Sequence, residues 1–153
     1  MVSVNGINIP SIGFGTMLFP QPEKAVELIS HAIDAGYRHI DTARKYGSEA
    51  WVGEAMSTTS VARKDIWVTT KVTEENAQAD DFARSVEVSL ETLRLDYIDL
   101  LLIHWPQPVV PLEETLGALI KAKREGLAKN IGISNFTVEL VHNCLLYTSP
   151  SPR

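Results

Sequence analysis

The sequence GYRHIDTARKYGSEAWVG at residues 36–53 contains a short strand, a polar loop and the beginning of a helix. The strand covers residues 37–41 and ends on Asp41, and the helix covers residues 48–57. Before it, apolar side chains recur at helical spacing over residues 22–35, and Gly36 ends that helix. The stretch therefore predicts a helix–strand–helix unit with a carboxylate at the carboxyl end of its strand.

The alternation of strand and helix continues on both sides of this unit. Upstream, residues 2–9 around Asn5-Gly6 predict a β-hairpin, and the apolar run at residues 9–16 follows it. Downstream, strands are predicted at residues 65–71, 98–104 and 128–133, helices at residues 80–94 and 112–125, and a further helix begins at Thr137. The order β-α-β-α-β-α-β-α-β with short connections predicts a parallel sheet covered by helices.

Polar residues at the strand ends favour one of the two parallel architectures. Periodicity alone does not separate a doubly wound sheet from a (β/α)₈ barrel. Asp41, Lys71 and His104 each end a predicted strand, and Ser134-Asn135 follow the fifth. Because catalytic groups of barrels gather at that rim from several strands, we predict an α/β fold. It would be a partial (β/α)8 TIM barrel, with about five of eight strands and an N-terminal β-hairpin.

The last ten residues differ from the rest of the chain. The sequence CLLYTSPSPR at residues 144–153 has no helical stripe and no strand alternation, and its Ser-Pro repeat cannot continue a helix. It resembles the translated adapter tails that end some partial sequences; the alternative is a natural disordered C-terminus. We expect residues 1–143 to form the N-terminal part of a barrel and residues 144–153 to be a non-homologous tail, disordered or artefactual.

Composition excludes several classes of partner. The chain has 153 residues, 44% of them hydrophobic, and a formal net charge of −5 without a basic run, so we expect neither nucleic acid nor membrane as a partner. The single cysteine, Cys144, excludes an internal disulfide and a cysteine metal cage. The N-terminus lacks the features of a signal peptide. We therefore expect a cytoplasmic protein.

Four motifs together resemble the aldo-keto reductase family. They are GYRHIDTA with EAWVG in residues 36–53, LAKNIGISNF at residues 127–136, GFGT at residues 13–16 and LLIHWP at residues 101–106. The resemblance runs in unbroken order from about Gly13 to about His142 and covers the N-terminal half of that family. Within that family the chain resembles the bacterial 2,5-diketo-gluconate-reductase-like members.

The resemblance implies a catalytic tetrad of Asp41, Tyr46, Lys71 and His104. Hydride reduction of a carbonyl builds charge on oxygen, so a proton donor must lie within hydrogen-bond reach. An ammonium about 4 Å from a phenol contributes on the order of 4 kcal/mol at an effective dielectric of about 20, so Lys71 suffices to tune Tyr46. Asp41 would hold and orient the amine, and His104, as a neutral imidazole, would steer the carbonyl.

The resemblance also implies a cofactor, NADPH, and a substrate site, although no dinucleotide-binding fingerprint follows Gly13 and Gly15 because position 18 is Leu. The expected cofactor-binding residues are Gly15, Thr16, Met17, Asp41, Ser134 and Asn135, and the expected substrate-binding residues are Tyr46, His104 and Trp105. Met17 stands where many members carry an aromatic residue. We assign Trp51 and Trp67 to packing. His31, His39 and His142 have no metal-ligand spacing, so no metal is expected.

The resulting hypothesis is an NADPH-dependent oxidoreductase that reduces small aldehydes and ketones, sugar-derived ones included, with tyrosine as the general acid. One alternative is a non-catalytic binding subunit on the same scaffold. Another is that the chain is an inactive truncated fragment, which self-associates although its parent is a monomer.

Overall fold

A computed structural model describes residues 1–4, 6–19 and 21–148 of the chain. An antiparallel hairpin of β1 (Val2–Val4) and β2 (Ile7–Ile9) comes first, and Asn5 in its predicted turn lies outside the described residues. The remaining strands are β3 (Phe14–Gly15), β4 (His39–Asp41), β5 (Trp67–Val72), β6 (Ile98–Ile103) and β7 (Ala128–Ile133). The helices are α1 (Ala25–Asp34), α2 (Glu49–Thr58), α3 (Ala79–Leu93), α4 (Leu112–Arg124) and α5 (Val138–Thr148).

Strands β3 to β7 form one parallel sheet whose strands follow the order of the sequence. A doubly wound sheet would reverse its strand order at a switch point, and no reversal occurs here. The chain therefore forms five strands of a (β/α)₈ barrel, as predicted, and the barrel is not closed. Strands β3 and β7 are the edges of this sheet.

The two faces of the sheet differ in what covers them. Side chains alternate along each strand, and Ile40, Val68 and Leu101 point to the face that the helices cover, where all three are fully buried. Leu100 and Leu102 alternate with them and are only partly buried on the opposite, inner face. The inner face is thus the wall of an open barrel.

Apolar stripes explain why the helices lie where they do. In α1 the buried residues Ala25, Ile29, Ala32 and Ile33 recur at helical spacing, and α3 buries Phe82, Val86, Leu90 and Leu93 in the same way. Gly53 lets α2 approach α3 closely, because a Cβ at this position would lie 2.6 Å from the carbonyl oxygen of Thr92.

Element boundaries differ from the sequence prediction at several ends. Residues 22–24 form a short 3₁₀ turn before α1, and β4 begins at His39 rather than at residue 37. Helix α5 continues through residues 144–148, where no helix was predicted, because Cys144 is buried in the apolar cluster that contains Phe82 and Leu116. Residues 149–153 lie outside the described residues, so the division of the chain at residue 143 stays a prediction.

The hairpin lies at the end of the sheet where the strands begin. Residues 8 and 10–12 line a cavity of about 660 Å³ together with residues 35–38 and 64–67, which precede or begin β4 and β5. This is the opposite end from the predicted catalytic rim. Within the described parts of the chain, no helix has the length and apolar character needed to cross a membrane.

Candidate active site

The predicted catalytic residues reach one rim because the parallel ladder continues past the strand ends. The amide of Thr42 donates to the carbonyl of Thr69, the amide of His104 donates to Val72, and the amide of Ser134 donates to Ile103. Each residue that follows a strand is thereby held against its neighbouring strand. The side chains of residues 41, 71, 104 and 134 consequently stand at the same end of the sheet.

Tyr46 arrives at this rim on a tight turn rather than on a strand. Residues Arg44–Tyr46 form one 3₁₀ turn, in which the amide of Tyr46 donates to the carbonyl of Ala43 at 3.0 Å. Gly47 ends the turn with a φ of +68°, a left-handed conformation that glycine adopts without strain. The turn carries the phenol back over the ends of β4 and β5 before α2 begins.

The ammonium of Lys71 is the centre of the cluster. Its Nζ donates to Oδ1 of Asp41 at 2.6 Å, to the carbonyl of Thr42 at 2.9 Å and to the hydroxyl of Tyr46 at 3.4 Å. Three protons thus have three acceptors. Lys71 is buried, whereas the side chain of Asp41 is 36% exposed, so the pair opens to solvent on the carboxylate side.

The imidazole of His104 lies edge-on to the phenol, with the ring centroids of His104 and Tyr46 5.5 Å apart. Burial, and next the positive charge of Lys71, lower the pKa of His104 below its usual value of 6.5. The ring is therefore neutral at pH 7 and carries one N–H that can donate a hydrogen bond. Its Nδ1 is buried and has no hydrogen-bond partner among the described residues.

Ser134 and Asn135 lie at the same rim, and Asn135 is bonded to the backbone of His104. Asn135 has a φ of +61°, and its Nδ2 donates to the carbonyl of His104 at 2.8 Å and to Oγ of Ser134 at 3.0 Å. The side-chain oxygen is the atom that Asn135 retains for a ligand. The structure therefore brings together all four members of the predicted tetrad and this predicted cofactor pair.

The predicted cofactor residues at the end of β3 and in the loop after it, residues 15–17, differ in their exposure. Gly15 pairs with Asp41 in register, and a Cβ added there would meet no heavy atom within 4 Å, so the sheet edge is open at this point. Met17 is exposed. Thr16 is buried, its amide and hydroxyl both bond the carbonyl of Asp41, and its hydroxyl also contacts Oγ of Ser48 at 2.8 Å. Its side chain lies beneath the open rim, and its hydroxyl forms its hydrogen bonds with other groups of the protein.

The remaining predicted residues lie as follows. Trp105 is 46% exposed beside His104. Trp51 packs edge-on against Phe19 with ring centroids 5.8 Å apart, which agrees with a packing role. His31 and His142 are on the surface.

His39 lies on the inner face, where one ring nitrogen is 2.9 Å from the hydroxyl of Thr69 and its ring contacts Trp67. Burial is the main cause that lowers the pKa of His39. Across residues 1–4, 6–19 and 21–148, no group of three or more His, Cys, Asp and Glu side chains is arranged to hold a metal ion.

Sequence reasoning missed several polar contacts around the tetrad. Lys45, on the turn of Tyr46, forms an ion pair with Glu74 in the loop after β5. Glu49, in the first turn of α2, is buried and accepts a hydrogen bond from the hydroxyl of Thr70 at 2.6 Å. Glu49 was visible in the motif GSEAWVG, but its partner is 21 residues away, and local periodicity carries no information about such a pair.

The chain was compared with known proteins and structures. The model of the Aldo/keto reductase family matches residues 11–151. Methylglyoxal reductase DkgB of Salmonella typhi is 41% identical over 141 residues, which make up 91% of this chain and 52% of that protein. The chain therefore spans about half the length of the curated relatives it matches.

Solved structures agree with this match. A crystal structure of a candidate 2,5-diketo-D-gluconic acid reductase B is 42% identical, with a TM-score of 0.89 over 95% of this chain and 51% of that chain. The Bombyx mori aldo-keto reductase AKR2E4, solved in complex with NADP, is 32% identical, with a TM-score of 0.87 over 97% of this chain and 54% of that one. The motifs, the open barrel and these matches agree: the chain belongs to the aldo/keto reductase family.

Proposed function

We propose that this chain supplies the catalytic rim of an NADPH-dependent reductase that converts small aldehydes and ketones to alcohols. The observation that carries the proposal is the position of the Lys71 ammonium, 2.6 Å from Asp41 and 3.4 Å from the hydroxyl of Tyr46. A cation at a phenol oxygen makes the phenol a better proton donor. The neutral imidazole of His104 stands beside it.

Each residue of the tetrad has a role in this reaction. NADPH, when bound, supplies the hydride that forms the new C–H bond at the carbonyl carbon. Tyr46 transfers its proton to the carbonyl oxygen, so that the C=O bond becomes an alcohol, and Lys71 stabilises the phenolate that remains. Asp41 holds the ammonium, and His104 donates a hydrogen bond to the carbonyl oxygen and orients it.

The residues present fit a nicotinamide cofactor. The edge beside Gly15 and Asp41 is open, and Ser134 and Asn135 place a hydroxyl and an amide oxygen at the other side of the rim. In our proposal these two would hold the nicotinamide carboxamide, Asp41 would approach the adjoining ribose, and the backbone of residues 15–17 would run beneath. The presence of NADP in the Bombyx mori relative supports NADPH as the cofactor.

The substrate class follows from the exposed side chains at the rim and from the relatives. Met17 and Trp105 are 59% and 46% exposed and would form apolar walls beside Tyr46 and His104. The relatives are named for methylglyoxal and 2,5-diketo-D-gluconic acid, both small dicarbonyl compounds. We therefore propose small dicarbonyl compounds, sugar-derived ones included, as substrates, and the cytoplasm as the place of action.

By itself, the 153-residue chain is expected to be inactive and to self-associate. Strands β3 and β7 have free edges, and Leu100 and Leu102 are incompletely covered on the inner face. At about 25 cal/mol per Å², roughly 400 Å² of uncovered apolar surface forfeits ~10 kcal/mol, which equals the stability of a typical domain. Self-association through these edges and this face would recover part of the lost hydrophobic free energy.

The test compares two proteins. One is the 153-residue chain; the other joins residues 1–143 to the second half of the Salmonella typhi relative and is termed the completed enzyme. With methylglyoxal and NADPH, the completed enzyme should oxidise NADPH at a rate that depends on both. The chain alone should show no oxidation and should elute as a dimer or larger species in gel filtration.

Two results would contradict these proposals. A completed enzyme that binds carbonyl compounds without turnover would favour a non-catalytic binding role. A monomeric and active 153-residue chain would show that the free edges do not matter.

A further inference from the structure

Three hydroxyl groups form a buried hydrogen-bonded series directly beneath the catalytic rim. Oγ of Ser48 lies 2.8 Å from Oγ1 of Thr16 and 3.0 Å from Oγ1 of Thr42, and all three side chains are buried. They come from two connections: Thr16 from the loop after β3, and Thr42 and Ser48 from the two ends of the connection between β4 and α2. Ser48 is the member that joins the other two.

The three hydroxyl groups all donate their hydrogen bonds in the same direction along the series. Thr16 donates to the carbonyl of Asp41 at 3.2 Å. Each hydroxyl has a single proton, so the arrangement that satisfies all three has Ser48 donating to Thr16 and Thr42 donating to Ser48. The series of hydrogen bonds thus ends at the backbone carbonyl of Asp41. At its other end is Thr42, whose carbonyl accepts a hydrogen bond from Nζ of Lys71 at 2.9 Å.

The next residue provides a second anchor. Glu49 is buried, its Oε1 accepts from the hydroxyl of Thr70 at 2.6 Å, and its Oε2 lies 3.9 Å from the guanidinium of Arg44. Thr70 directly precedes Lys71, and Arg44 begins the turn that carries Tyr46. One carboxylate is therefore bonded to the strand of the amine and lies near the turn of the phenol.

We propose that Ser48 and Glu49 are positioning residues that set the distance between the Tyr46 hydroxyl and the Lys71 ammonium; this rests on the proposed function of that pair. Ser48 directly precedes α2 and Glu49 begins it, two and three residues after Tyr46, and together they hold both segments that flank the 3.4 Å contact. Both side chains are buried, so we assign them no contact with the substrate.

The physical reason lies in the direction of these bonds. Apolar side chains of the same volume would fill this space without a desolvation cost, whereas buried hydroxyls and carboxylates cost free energy unless each is bonded. Apolar contacts also permit small shifts. A hydrogen bond fixes a donor and an acceptor to within tenths of an ångström, and a displacement of about 1 Å at a reacting group costs on the order of 10²-fold in rate.

The first test observes Tyr46 itself. The completed enzyme is labelled with ¹³C in its tyrosines, and Tyr46→Phe and Tyr97→Phe identify the ring signals of these two residues. The Tyr46 signals depend on the imidazole of His104, whose ring lies 5.5 Å away. In Ser48→Ala and Thr70→Val the Tyr46 signals should move towards their random-coil positions, while the Tyr97 signals stay.

The matched control is Ser57→Ala in the same helix, whose exposed hydroxyl only bonds the carbonyl of Glu54. Glu49→Gln keeps an acceptor oxygen for Thr70 and should retain the native Tyr46 signals, whereas Glu49→Leu should lose them. If Ser48→Ala fails to fold, the isosteric Thr42→Val and Thr70→Val decide the question. Unmoved Tyr46 signals in folded variants would overturn the proposal.

The second test is kinetic and separates this proposal from the proposed function. In the completed enzyme, Ser48→Ala and Thr70→Val should lower kcat by about tenfold to hundredfold with KM within about twofold, because geometry at the reacting groups is changed and binding is not. Equal losses in Ser57→Ala would mean a general loss of structure and would overturn it. A completed enzyme without turnover, with Tyr46 signals still displaced, would refute the proposed function only.

Discussion

Two clusters in this chain combine a carboxylate, a cation and a tyrosine, at opposite ends of the sheet. At the rim, Lys71 bonds Asp41 and the hydroxyl of Tyr46. At the other end Arg63 bonds Asp99 at 2.7 Å, and its guanidinium carbon lies 4.2 Å from the ring centroid of Tyr97. We call Arg63, Tyr97, Asp99 and Lys129 the base cluster, because they lie at the base of the barrel, opposite the rim. Nζ of Lys129 lies 3.6 Å from the same ring centroid.

In both clusters a cation lies over the tyrosine ring, and the difference is whether a cation also forms a hydrogen bond with the hydroxyl. In the base cluster both cations lie over the ring, where they stabilise the packing, and no hydrogen bond from either one to the Tyr97 hydroxyl is found among the described residues. Asp99 is buried and also accepts from the amide of Val68 at 3.0 Å, which ties β6 to β5. At the rim the Lys71 ammonium lies 4.9 Å from the centroid of the Tyr46 ring and also donates to its hydroxyl at 3.4 Å. Similar residue types thus give a structural clamp in one place and a candidate proton donor in the other.

The largest expected effect separates the two tyrosines. In the completed enzyme, Tyr46→Phe keeps the ring and removes the proposed proton donor, so kcat should fall by roughly 10²–10⁴-fold. The matched change Tyr97→Phe removes a hydroxyl that the base cluster does not use and should leave kcat within about twofold. NADPH oxidation at saturating methylglyoxal measures both.

Cofactor affinity checks the interpretation of this pair. The dissociation constant for NADPH should be nearly unchanged in Tyr46→Phe, because the phenol is assigned to proton transfer. Near-normal turnover in Tyr46→Phe would make another residue the acid and remove the contrast between the clusters.

The second prediction separates the two cations by stability. Arg63→Met leaves the buried Asp99 without its closest cation and should lower the free energy of unfolding by about 3 kcal/mol. Lys71→Met leaves the 36% exposed carboxylate of Asp41 to solvent and should cost less stability, with kcat strongly reduced. Urea unfolding of the completed enzyme measures the first quantity; equal stability losses in both variants would contradict the distinction.

The third prediction concerns pH, because no histidine belongs to the base cluster. Burial lowers the pKa values of His104 and His39 below 6.5 in the folded chain. Below pH 6.5 the unfolded chain therefore binds more protons, and the free energy of unfolding should decrease as the pH falls through this range. In a completed enzyme with His104→Gln the decrease should be smaller; an unchanged pH slope would show that His104 does not titrate as expected.

The smallest effect is expected at the exposed ion pair of the rim. Water reaches this ion pair, because the side chain of Lys45 is 47% exposed and that of Glu74 is 26% exposed. Lys45→Met should therefore change the free energy of unfolding least among these variants, because solvent and salt screen an exposed pair. Thermal unfolding at low and high salt measures it, and a larger, salt-insensitive loss would show that this pair supports the turn of Tyr46 more than its exposure indicates.

The sequence predicted the sheet and the rim well for a definable reason. Strand and helix periods are local, so the strands ending at Asp41, Lys71 and His104 could be found from neighbouring residues. The parallel order then placed those strand ends together without knowledge of any contact. The helix at residues 144–148 was missed because burial of Cys144 against residues far away, not a local stripe, supports it there.

Thr16 illustrates where prediction by motif stopped. The motif GFGT placed it near the cofactor, and only the structure showed that its hydroxyl contacts Ser48, 32 residues later. The same holds for Arg63 with Asp99 and for Glu49 with Thr70, which are 36 and 21 residues apart. No periodic pattern records such pairs.

The sequence by itself determined the family, the order of strands and helices, and the four residues that meet at one rim of the sheet. The tertiary structure decided which atoms meet: the Lys71 ammonium at the oxygen of Tyr46, and the Arg63 guanidinium at the ring of Tyr97. The physical reason is that residue type fixes what a side chain can donate or accept. The direction from which a charge approaches depends on the packing of segments distant in sequence, and that direction separates a proton donor from a clamp.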